Sequence, residues 1–354
     1  MKRFLKITGI LLAVIVGILL AAVCFFTLTE YRPADREVIV PEGSASGIMR
    51  QEDSFTVLSW NLGYAALGDN ADYWQDGGKH VITSTEERVT ENLQAIRAFT
   101  EERSPDVIFF QETDRKADRT YGIDEVDYLS SAFPGMESGY AINFKVLYFP
   151  APIPPIGNVE SGLMTLSSFR SAETDRVQLP LASGWPISLI NTKRCLLVTR
   201  IPVVGSKREL VLINLHLEAY DSGEGKIRQT RFLQEFLSAE AEKGNYVIAG
   251  GDFNQTFSSN EGLYPVFPGT WQPGRIDLAD FSAWQAVSDP SVPTCRSLDI
   301  PYLDSNKAGF QFYVIDGFLV SRNLTVESCK TYDLQFRNSD HNPVLLRITL
   351  QDLD

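Results

Sequence analysis

Residues 210–217 read LVLINLHL, and this stretch decides which kind of fold the chain adopts. Branched apolar residues occupy every odd-numbered position from 211 to 217, a period of two that predicts a β-strand with one buried face. Asn214 and His216 then lie together on the opposite face. The strand therefore predicts an apolar face on one side of its sheet and places two polar groups on the other.

Further apolar runs on either side of this strand predict a single α/β domain. The runs are residues 55–60, 107–110, 195–199, 246–249, 312–320 and 344–350. Two helices are predicted between them, one opening at a capping box of Ser84 and Glu87 and ending before Pro105, the other over 226–242 with Ile227 facing inward. The polar stretches 63–83, 150–160 and 258–310 are predicted loops that shape a site. Because no second linker or internal repeat interrupts the pattern, residues 53–350 are expected to form one unit.

Polar residues of one chemical kind recur where these runs end. They are Asn61, Glu112, Asp252, Asn254, Asp316, Asp340 and His341. Each has an ordinary structural explanation when taken alone, as a turn former, a cap or a hydrogen-bonded core histidine. Core packing does not explain why carboxylates, amides and two of only three histidines gather at the ends of six strands. The pattern therefore predicts that the sheet ends bring these groups together in a site.

Composition and charge exclude several classes of protein. The chain has 354 residues, of which 44% are hydrophobic and 22% charged, which excludes wholesale disorder, collagen and a coiled coil. Its formal net charge is -13, with 32 basic and 45 acidic residues, and residues 29–354 carry 29 minus 45, or -16. This acidity argues against broad electrostatic capture of nucleic acid. The four cysteines show no metal-binding spacing.

The N-terminus has the pattern of a membrane anchor. Residues 7–28 form an uncharged run of 22 residues, long enough at about 1.5 Å per residue to cross a hydrocarbon core of about 30 Å. Lys2, Arg3 and Lys6 precede it, so residues 1–6 are predicted to be cytoplasmic and the large C-terminal part extracytoplasmic. A cleaved signal peptide is the alternative, which the branched Val23 at the candidate cleavage position disfavours. Residues 29–52, rich in Pro, Gly and Ser, are expected to form a tether.

These motifs together resemble the endonuclease/exonuclease/phosphatase superfamily, which has the fold of pancreatic deoxyribonuclease. The matching pieces occur in the family's order and are LSWNLGY (58–64), DVIFFQET (106–113), SGLMTLSSF (161–169), INLHLEAY (213–220), VIAGGDFNQ (247–255), YVIDGFLVS (313–321) and SDHNPVLL (339–346). The resemblance implies a four-layer αββα sandwich of two mixed β-sheets flanked by helices. It also implies a divalent-metal site where the sheets open.

The resemblance assigns roles to the strand-end residues. It implies Glu112 as the principal ligand of Mg²⁺, with Mn²⁺ as a substitute, helped by Asn61 and Asp340. Oxygen ligands of this kind argue against zinc. His341, oriented by Asp316, is expected to activate water or grip the phosphate, and His216 to serve the leaving group, although the sequence leaves open which histidine is the base. Asp252 is expected to align the nucleophile and Asn254 to donate to a phosphate oxygen.

Candidate substrate contacts are less sharply indicated. They are Asn214, Tyr140, Asn143 and Lys193. The family's Ser-Arg pair is displaced by one position here, to Ser168 and Arg170 around Phe169, so the role of this arginine is not carried over. Cys295 and Arg296 are expected to line the pocket, and His80 to be exposed.

Three functions are compatible with the sequence. The first is a monomeric, membrane-tethered phosphodiesterase that hydrolyses a lipid headgroup or another small phosphate ester outside the cytoplasm. The second is an extracytoplasmic endonuclease or exonuclease, for which nucleic acid enters only as the substrate. The third is a non-catalytic binding module on the same fold, which gives no reason to retain the complete set of polar residues.

Overall fold

The computed structural model describes residues 1–221, 223–303 and 310–352, which form four α-helices and nineteen β-strands. The helices are α1 (Lys2–Thr29), α2 (Glu86–Arg103), α3 (Glu125–Ala132) and α4 (Glu224–Glu242). The first ten strands are β1 (Arg36–Val38), β2 (Glu42–Gly43), β3 (Met49–Arg50), β4 (Ser54–Asn61), β5 (Val107–Asp114), β6 (Glu137–Phe149), β7 (Gly157–Ser167), β8 (Glu173–Gln178), β9 (Cys195–Val204) and β10 (Glu209–His216). The others are β11 (Tyr246–Asp252), β12 (Gln255–Phe257), β13 (Gly274–Ile276), β14 (Trp284–Val287), β15 (Cys295–Arg296), β16 (Phe312–Tyr313), β17 (Asp316–Ser321), β18 (Leu324–Thr331) and β19 (Val344–Leu350).

Most strands belong to two large mixed sheets. One has the order β1-β8-β9-β10-β11-β17-β14, with β3 paired beside β9, and the other has the order β18-β19-β4-β5-β7-β6-β2. Each sheet contains a parallel pair near its centre, β10 with β11 and β4 with β5. The carboxyl ends of a parallel pair lie at the same edge of a sheet, and these four strands end at polar residues.

The structure confirms the predicted αββα sandwich, and three apolar clusters hold its layers together. The central cluster joins the inner faces of both sheets, through residues such as Phe109 and Phe318. A second cluster packs the outer face of β4 and β5 against α2 and α3, and a third packs β10 and β11 against α4 through Leu233 and Leu237. The sheet edges that carry the polar residues are therefore held rigidly by packing on both sides.

Residues 29–52 do not form the free tether that their composition suggested. Strand β1 adds to the edge of the first sheet beside β8, β2 pairs with β6 of the second sheet, and β3 pairs with β9. The side chain of Met49 is fully buried in the central cluster. Backbone pairing and one deeply buried side chain thus outweigh the local turn-forming composition, and the segment straps the two sheets together.

The predicted elements exist, with some differences at their ends. Helix α2 is capped by Thr85, whose hydroxyl accepts from the Arg88 N–H, rather than by Ser84. Helix α4 begins at Glu224, and Ile227 is 60% exposed instead of facing the core. The predicted run over 312–320 is two strands, β16 and β17, and strands β6 and β7 were missed because Ser, Gly and Asn interrupt their alternation.

Helix α1 projects from the domain as a long apolar helix. Residues Arg3–Thr29 have a mean hydropathy of 3.0 in their most apolar window, none of which is buried against the rest of the chain. The helix is long and apolar enough to span a membrane, as the sequence predicted.

Candidate active site

Strand register places three of the predicted residues in one row. His216 at the end of β10 pairs with Asp252 at the end of β11, and Asp252 pairs with Asp316 at the start of β17. The Nε2 atom of His216 lies 3.4 Å from the Asp252 Oδ2 atom. Asn254 follows two residues later, where its backbone N–H donates to Asp252 Oδ1 at 2.8 Å. Sheet pairing alone therefore assembles one wall of a site.

The second sheet supplies the opposite wall. Asn61 ends β4, and its Nδ2 donates to Glu112 Oε1 at 3.2 Å and to Asp252 Oδ2 at 3.0 Å, which joins the two sheets. Glu112 sits at a bulge of β5 with a φ of 51°, a left-handed conformation that is strained for a residue with a side chain. The bulge turns Glu112 out of the strand alternation, and the residue lines the cavity described below.

The loop before β19 brings in Asp340 and His341. The backbone carbonyl of His341 accepts from Trp60 Nε1 at 2.9 Å, and the Ser339 hydroxyl donates to the Asn61 carbonyl at 2.7 Å. The Ser339 hydroxyl also accepts from the His341 N–H. These buried bonds fix the loop against β4, so the histidine enters the site in one orientation.

His341 and Asp316 form the predicted pair. The His341 Nδ1 atom lies 2.8 Å from Asp316 Oδ2, and both side chains are buried. Burial by itself lowers the pKa of His341, but the surrounding negative groups, led by Asp316, outweigh it and raise the pKa well above its usual value. His341 is therefore an imidazolium at neutral pH, held to Asp316 by a charge-assisted bond.

The other two titratable groups have opposite shifts. Burial, together with the positive charges of Arg194 and His341, lowers the pKa of His216 well below its usual value. Burial, assisted by the Asp316 charge and opposed by His341, raises the pKa of Asp252 to about 7. One histidine is thus neutral and the other charged, with a carboxyl group between them that titrates near neutral pH.

The donor set fits a divalent cation. Burial raises the pKa of Asp340 to about 6, opposed by the positive charge of His341 and assisted by the negative charge of Glu112, so the two carboxyl groups lie close enough to interact. A second group, Cys295 with Asp340 and His341, also brings possible ligand atoms together, but burial raises the pKa of the Cys295 thiol to about 12 and keeps it protonated. The oxygens of Glu112 and Asp340 are therefore the suited ligands. The Asn61 oxygen instead accepts from the Gly63 N–H, so the amide must turn to ligate an ion.

These groups open into a cavity of about 560 Å³ between the sheet ends and the surrounding loops. Its walls include Cys295 and Arg296, as the sequence predicted. Besides His341, the cationic side chains that line the described part of the cavity are Arg119, Arg194 and Arg296. Arg119 binds Asp114, Arg194 binds Glu218 and the His216 carbonyl, and Arg296 binds backbone carbonyl groups. Each cation is thus already held by the protein.

The four candidate substrate contacts are placed differently. Asn143 lines the cavity, where its Oδ1 accepts from the Cys195 N–H at 2.9 Å. Asn214 lies below the site, bound to the carbonyl groups of Phe110 and Met164 in the facing sheet, and clamps the sheets together.

The remaining two candidates do not line the cavity either. The Tyr140 hydroxyl donates to the Thr113 carbonyl, and Lys193 binds Glu30 at 2.9 Å. Their positions, like that of Asn214, do not support direct contact with substrate. Arg170 is exposed, and the His80 side chain is 63% exposed beside Asp72.

Sequence reasoning missed two features of the cavity wall. Arg119 forms a bidentate pair with Asp114 at 2.8 Å and lies over the Tyr64 ring, with 3.5 Å from its guanidinium carbon to the ring centre. The Tyr220 hydroxyl bonds to Asp76 at 3.1 Å across 144 positions of sequence. The Arg119–Asp114 pair could have been predicted from the short spacing of five residues between its members. The Tyr220–Asp76 hydrogen bond could not, because the two residues are far apart in the sequence.

The chain is similar to known proteins in its sequence profile and in its fold. The sequence profile described as Endonuclease/Exonuclease/phosphatase family matches residues 58–341, and no curated protein sequence matches. A crystal structure of an endonuclease/exonuclease/phosphatase from Beutenbergia cavernae is similar over 84% of this chain and 72% of that one, with 17% identity and a TM-score of 0.58. The human Nocturnin catalytic domain is similar over 90% of this chain and 99% of that one, with 14% identity and a TM-score of 0.52. The structure of D. rerio TDP2 complexed with a single-strand DNA product is similar over 84% of this chain and 99% of that one, with 16% identity and a TM-score of 0.51.

Proposed function

The chain belongs to the endonuclease/exonuclease/phosphatase family and is a metal-dependent hydrolase of phosphoester bonds, and from this premise we propose that it is a Mg²⁺-dependent phosphodiesterase anchored in the cell membrane. The proposed substrate is a lipid headgroup or a similar small phosphate ester. The proposed location of the catalytic domain is outside the cytoplasm.

One observation carries this proposal. The carboxyl groups of Glu112, Asp252 and Asp340 line one cavity together with His341, which Asp316 holds, although these residues come from four separate places in the sequence. Hydrolysis of a phosphate ester requires neutralised phosphoryl oxygens, an oriented water and a stabilised leaving oxygen. The site offers a separate group for each task.

The charge states of the residues suggest their roles. His341, as an imidazolium, donates from Nε2 to a phosphoryl oxygen, while Asp316 holds its other nitrogen. Asp252 orients the attacking water and accepts its proton, since its pKa of about 7 suits a base at neutral pH. Neutral His216 hydrogen-bonds the leaving oxygen. Asn254, whose φ is 49° and whose Nδ2 binds the Leu217 carbonyl, positions Asp252 through its backbone N–H.

Glu112 and Asp340, with Asn61 turned toward them, would hold the Mg²⁺ ion, with Mn²⁺ as a substitute. When bound, the ion supplies positive charge to the phosphoryl oxygens. Both carboxyl groups lie on the cavity wall, so a substrate phosphate in the cavity reaches this charge and His341 at the same time.

Two further observations favour a small ester over a polymer. The three arginines on the described cavity wall already contact protein acceptors, which reduces their capacity to track a polyanion, although Nε of Arg194 and Nε of Arg296 are buried without a hydrogen-bond partner. The net charge of -16 over residues 29–354 also opposes the approach of nucleic acid. The apolar helix α1 would keep the cavity beside a bilayer, where esters with lipid headgroups are concentrated.

The test is a substrate panel with the full-length protein in detergent. The panel contains sphingomyelin, phosphatidylinositol, a chromogenic diester, single-stranded and duplex DNA, and RNA, each with Mg²⁺ or with a chelator. We expect Mg²⁺-dependent turnover of a lipid or chromogenic diester that His341→Ala abolishes and His80→Ala leaves unchanged. Turnover of nucleic acid alone would reject the lipid substrate.

A nuclease is the second candidate, and the similarity to D. rerio TDP2 with its single-strand DNA product favours it. Because salt screens the repulsion between this acidic chain and nucleic acid, such activity would lack the steep loss with salt that many cation–phosphate contacts produce. A binding module is the third candidate. It predicts substrate that binds without turnover, which the same panel detects when binding is measured beside turnover and other divalent metals are added.

A further inference from the structure

Two segments beside the cavity, each the end of a strand (β6 or β8) with the loop that follows it, have an unusual composition and are called loops below. Residues 146–156 read VLYFPAPIPPI and residues 177–192 read VQLPLASGWPISLINT, and neither contains a charged residue, in a chain of which 22% is charged. Several of their apolar side chains point into solvent, with exposed fractions of 93% for Ile153, 68% for Trp185, 62% for Ile187 and 60% for Leu147. We call the exposed apolar residues of these two loops the apolar rim; they are Leu147, Tyr148, Ile153, Leu181, Trp185 and Ile187.

The two loops form one surface. Ile190 of the second loop packs against the cluster that contains Val146 and Ile156 of the first. The Lys193 N–H donates to the Asn143 carbonyl of β6 at 2.6 Å, which ties the end of the second loop to the strand that leads into the first. The exposed residues therefore project from a supported framework, and an apolar surface of this kind on an acidic protein indicates a binding surface.

Contacts connect the apolar rim directly to the end of α1. Glu30, the residue after that helix, binds Lys193 Nζ at 2.9 Å, and both side chains are largely buried. Lys193 Nζ also donates to the Ser188 carbonyl at 2.6 Å, and the Ser188 N–H donates to the Gly184 carbonyl at 3.0 Å. Trp185 follows Gly184, so the candidate membrane helix leaves the domain beside the apolar rim.

The same loops form part of the cavity wall. Phe149 and Ile156 of the first loop line the cavity, as do Ala182, Ile187 and Ile190 of the second. The apolar rim thus lies at one side of the cavity that contains the site.

From these contacts we propose that the apolar rim inserts into the interfacial layer of the bilayer that holds α1, and that it seats the cavity against the lipid headgroups. Trp and Tyr favour this layer because their rings are apolar with one polar atom. Side chains such as Ile153 and Leu181 add buried apolar area, on which the strength of interfacial binding depends. The inference rests on the proposed function in that it takes α1 as a membrane anchor and a headgroup as the substrate.

The first experiment measures insertion without any need for activity. The structure describes all five tryptophans, and Trp185 is the exposed one. Its emission can therefore be isolated by comparing wild type with Trp185→Phe. Full-length protein is reconstituted into phosphatidylcholine vesicles with brominated acyl chains. We expect the part of the emission due to Trp185 to be quenched by the brominated chains and protected from iodide in the water. Quenching by iodide but not by bromine would overturn the proposal.

The second experiment asks whether insertion serves catalysis. Ile153→Ser/Leu181→Ser/Trp185→Ser removes three side chains that do not line the cavity. In vesicles, we expect turnover of a lipid diester to fall on the order of tenfold, as lost apolar burial weakens interfacial binding. Turnover of a water-soluble chromogenic diester should not change.

Ile48→Ser/Val204→Ser is the matched control. Both residues are similarly exposed, at 52% and 54%. Val204 ends β9, whereas Cys195, at the start of β9, is the end nearer the apolar rim; at about 3.3 Å per residue the two ends are about 30 Å apart. An equal loss in this control would reject the specific role of the apolar rim. If wild type turns over neither diester, the proposed function fails, whereas the quenching result still decides whether the apolar rim is inserted.

Discussion

Replacing Asp316 by Asn tests the central pair of the site most directly. Asp316 accepts from His341 Nδ1 at 2.8 Å in a buried position, and its charge is foremost among those that raise the pKa of His341. An amide of the same shape removes that charge while burial continues to favour neutral imidazole. His341 should therefore lose both its proton and its fixed orientation, with little change in packing.

The expected loss in kcat is on the order of a hundredfold or more, the usual effect of removing a positioned acid or base, which corresponds to about 2.7 kcal/mol or more in activation free energy. KM should rise less than kcat falls, because Asp316 acts on the substrate only through His341, which also binds a phosphoryl oxygen. The loss should also be non-additive, so that His341→Ala/Asp316→Asn is scarcely slower than the slower single variant.

The pH profile separates this role from a structural one. If turnover requires ionised Asp252 and protonated His341, activity rises as pH passes about 7 and falls where His341 loses its proton at higher pH. Because Asp316 raises the pKa of His341, Asp316→Asn should move the alkaline limb to lower pH. The profile is measured with a chromogenic diester under saturating metal.

A matched control exists in the same chain. His80 forms a similar 2.8 Å pair with Asp72, but its side chain is 63% exposed and away from the cavity, so His80→Ala should leave kcat unchanged. Multiplicative losses in the double variant, or an unchanged alkaline limb in Asp316→Asn, would refute the pairing argument.

Three further predictions concern the metal, the membrane and stability. Chelation should abolish turnover and Mg²⁺ or Mn²⁺ restore it, and Glu112→Gln should raise the concentration of metal needed for half-maximal activity at least tenfold; an unchanged requirement would exclude Glu112 as a ligand. Protease added to intact spheroplasts should cleave the catalytic domain, which sediments with membranes, and protection of the domain would reverse the proposed topology. Arg200, Lys243 and Asn245 outweigh burial and lower the pKa of Glu240 to about 2. The difference in free energy of unfolding between wild type and Glu240→Gln, measured with urea, should be largest above about pH 4.5 and shrink as the pH falls toward 2. A difference that stays constant with pH would contradict this prediction.

Local sequence pattern predicted much of this structure because successive side chains of a β-strand alternate strictly between the two faces of a sheet. The period of two over residues 210–217 placed Asn214 and His216 on one face of the strand, although the structure buries both faces. The runs ending at Asn61 and Asp252 pointed to strand ends that the two sheets bring together. The resemblance of the motifs, in their order, to the endonuclease/exonuclease/phosphatase family implied the αββα arrangement, and both the family and the arrangement are confirmed. The strands and their polar end residues could be predicted because each depends on neighbours within one strand.

The same pattern failed where distant contacts override local preference. Turn-rich composition predicted a tether over 29–52, but pairing with both sheets and the burial of Met49 hold that segment in the domain. Asn214 was expected to contact substrate, but the facing sheet supplies carbonyl acceptors for its amide, and only the packing of two sheets determines that.

The sequence by itself determined the strands, the chemical kind of the site and the apolar helix α1, because these follow from periodicity, residue type and length. Only the tertiary structure decided that His341 is charged and His216 neutral, since the pKa of each depends on burial and on charges brought from other strands. It also placed the end of α1 beside Lys193 and the apolar rim. Contacts of this kind join residues more than a hundred positions apart, and only the folded chain brings them together.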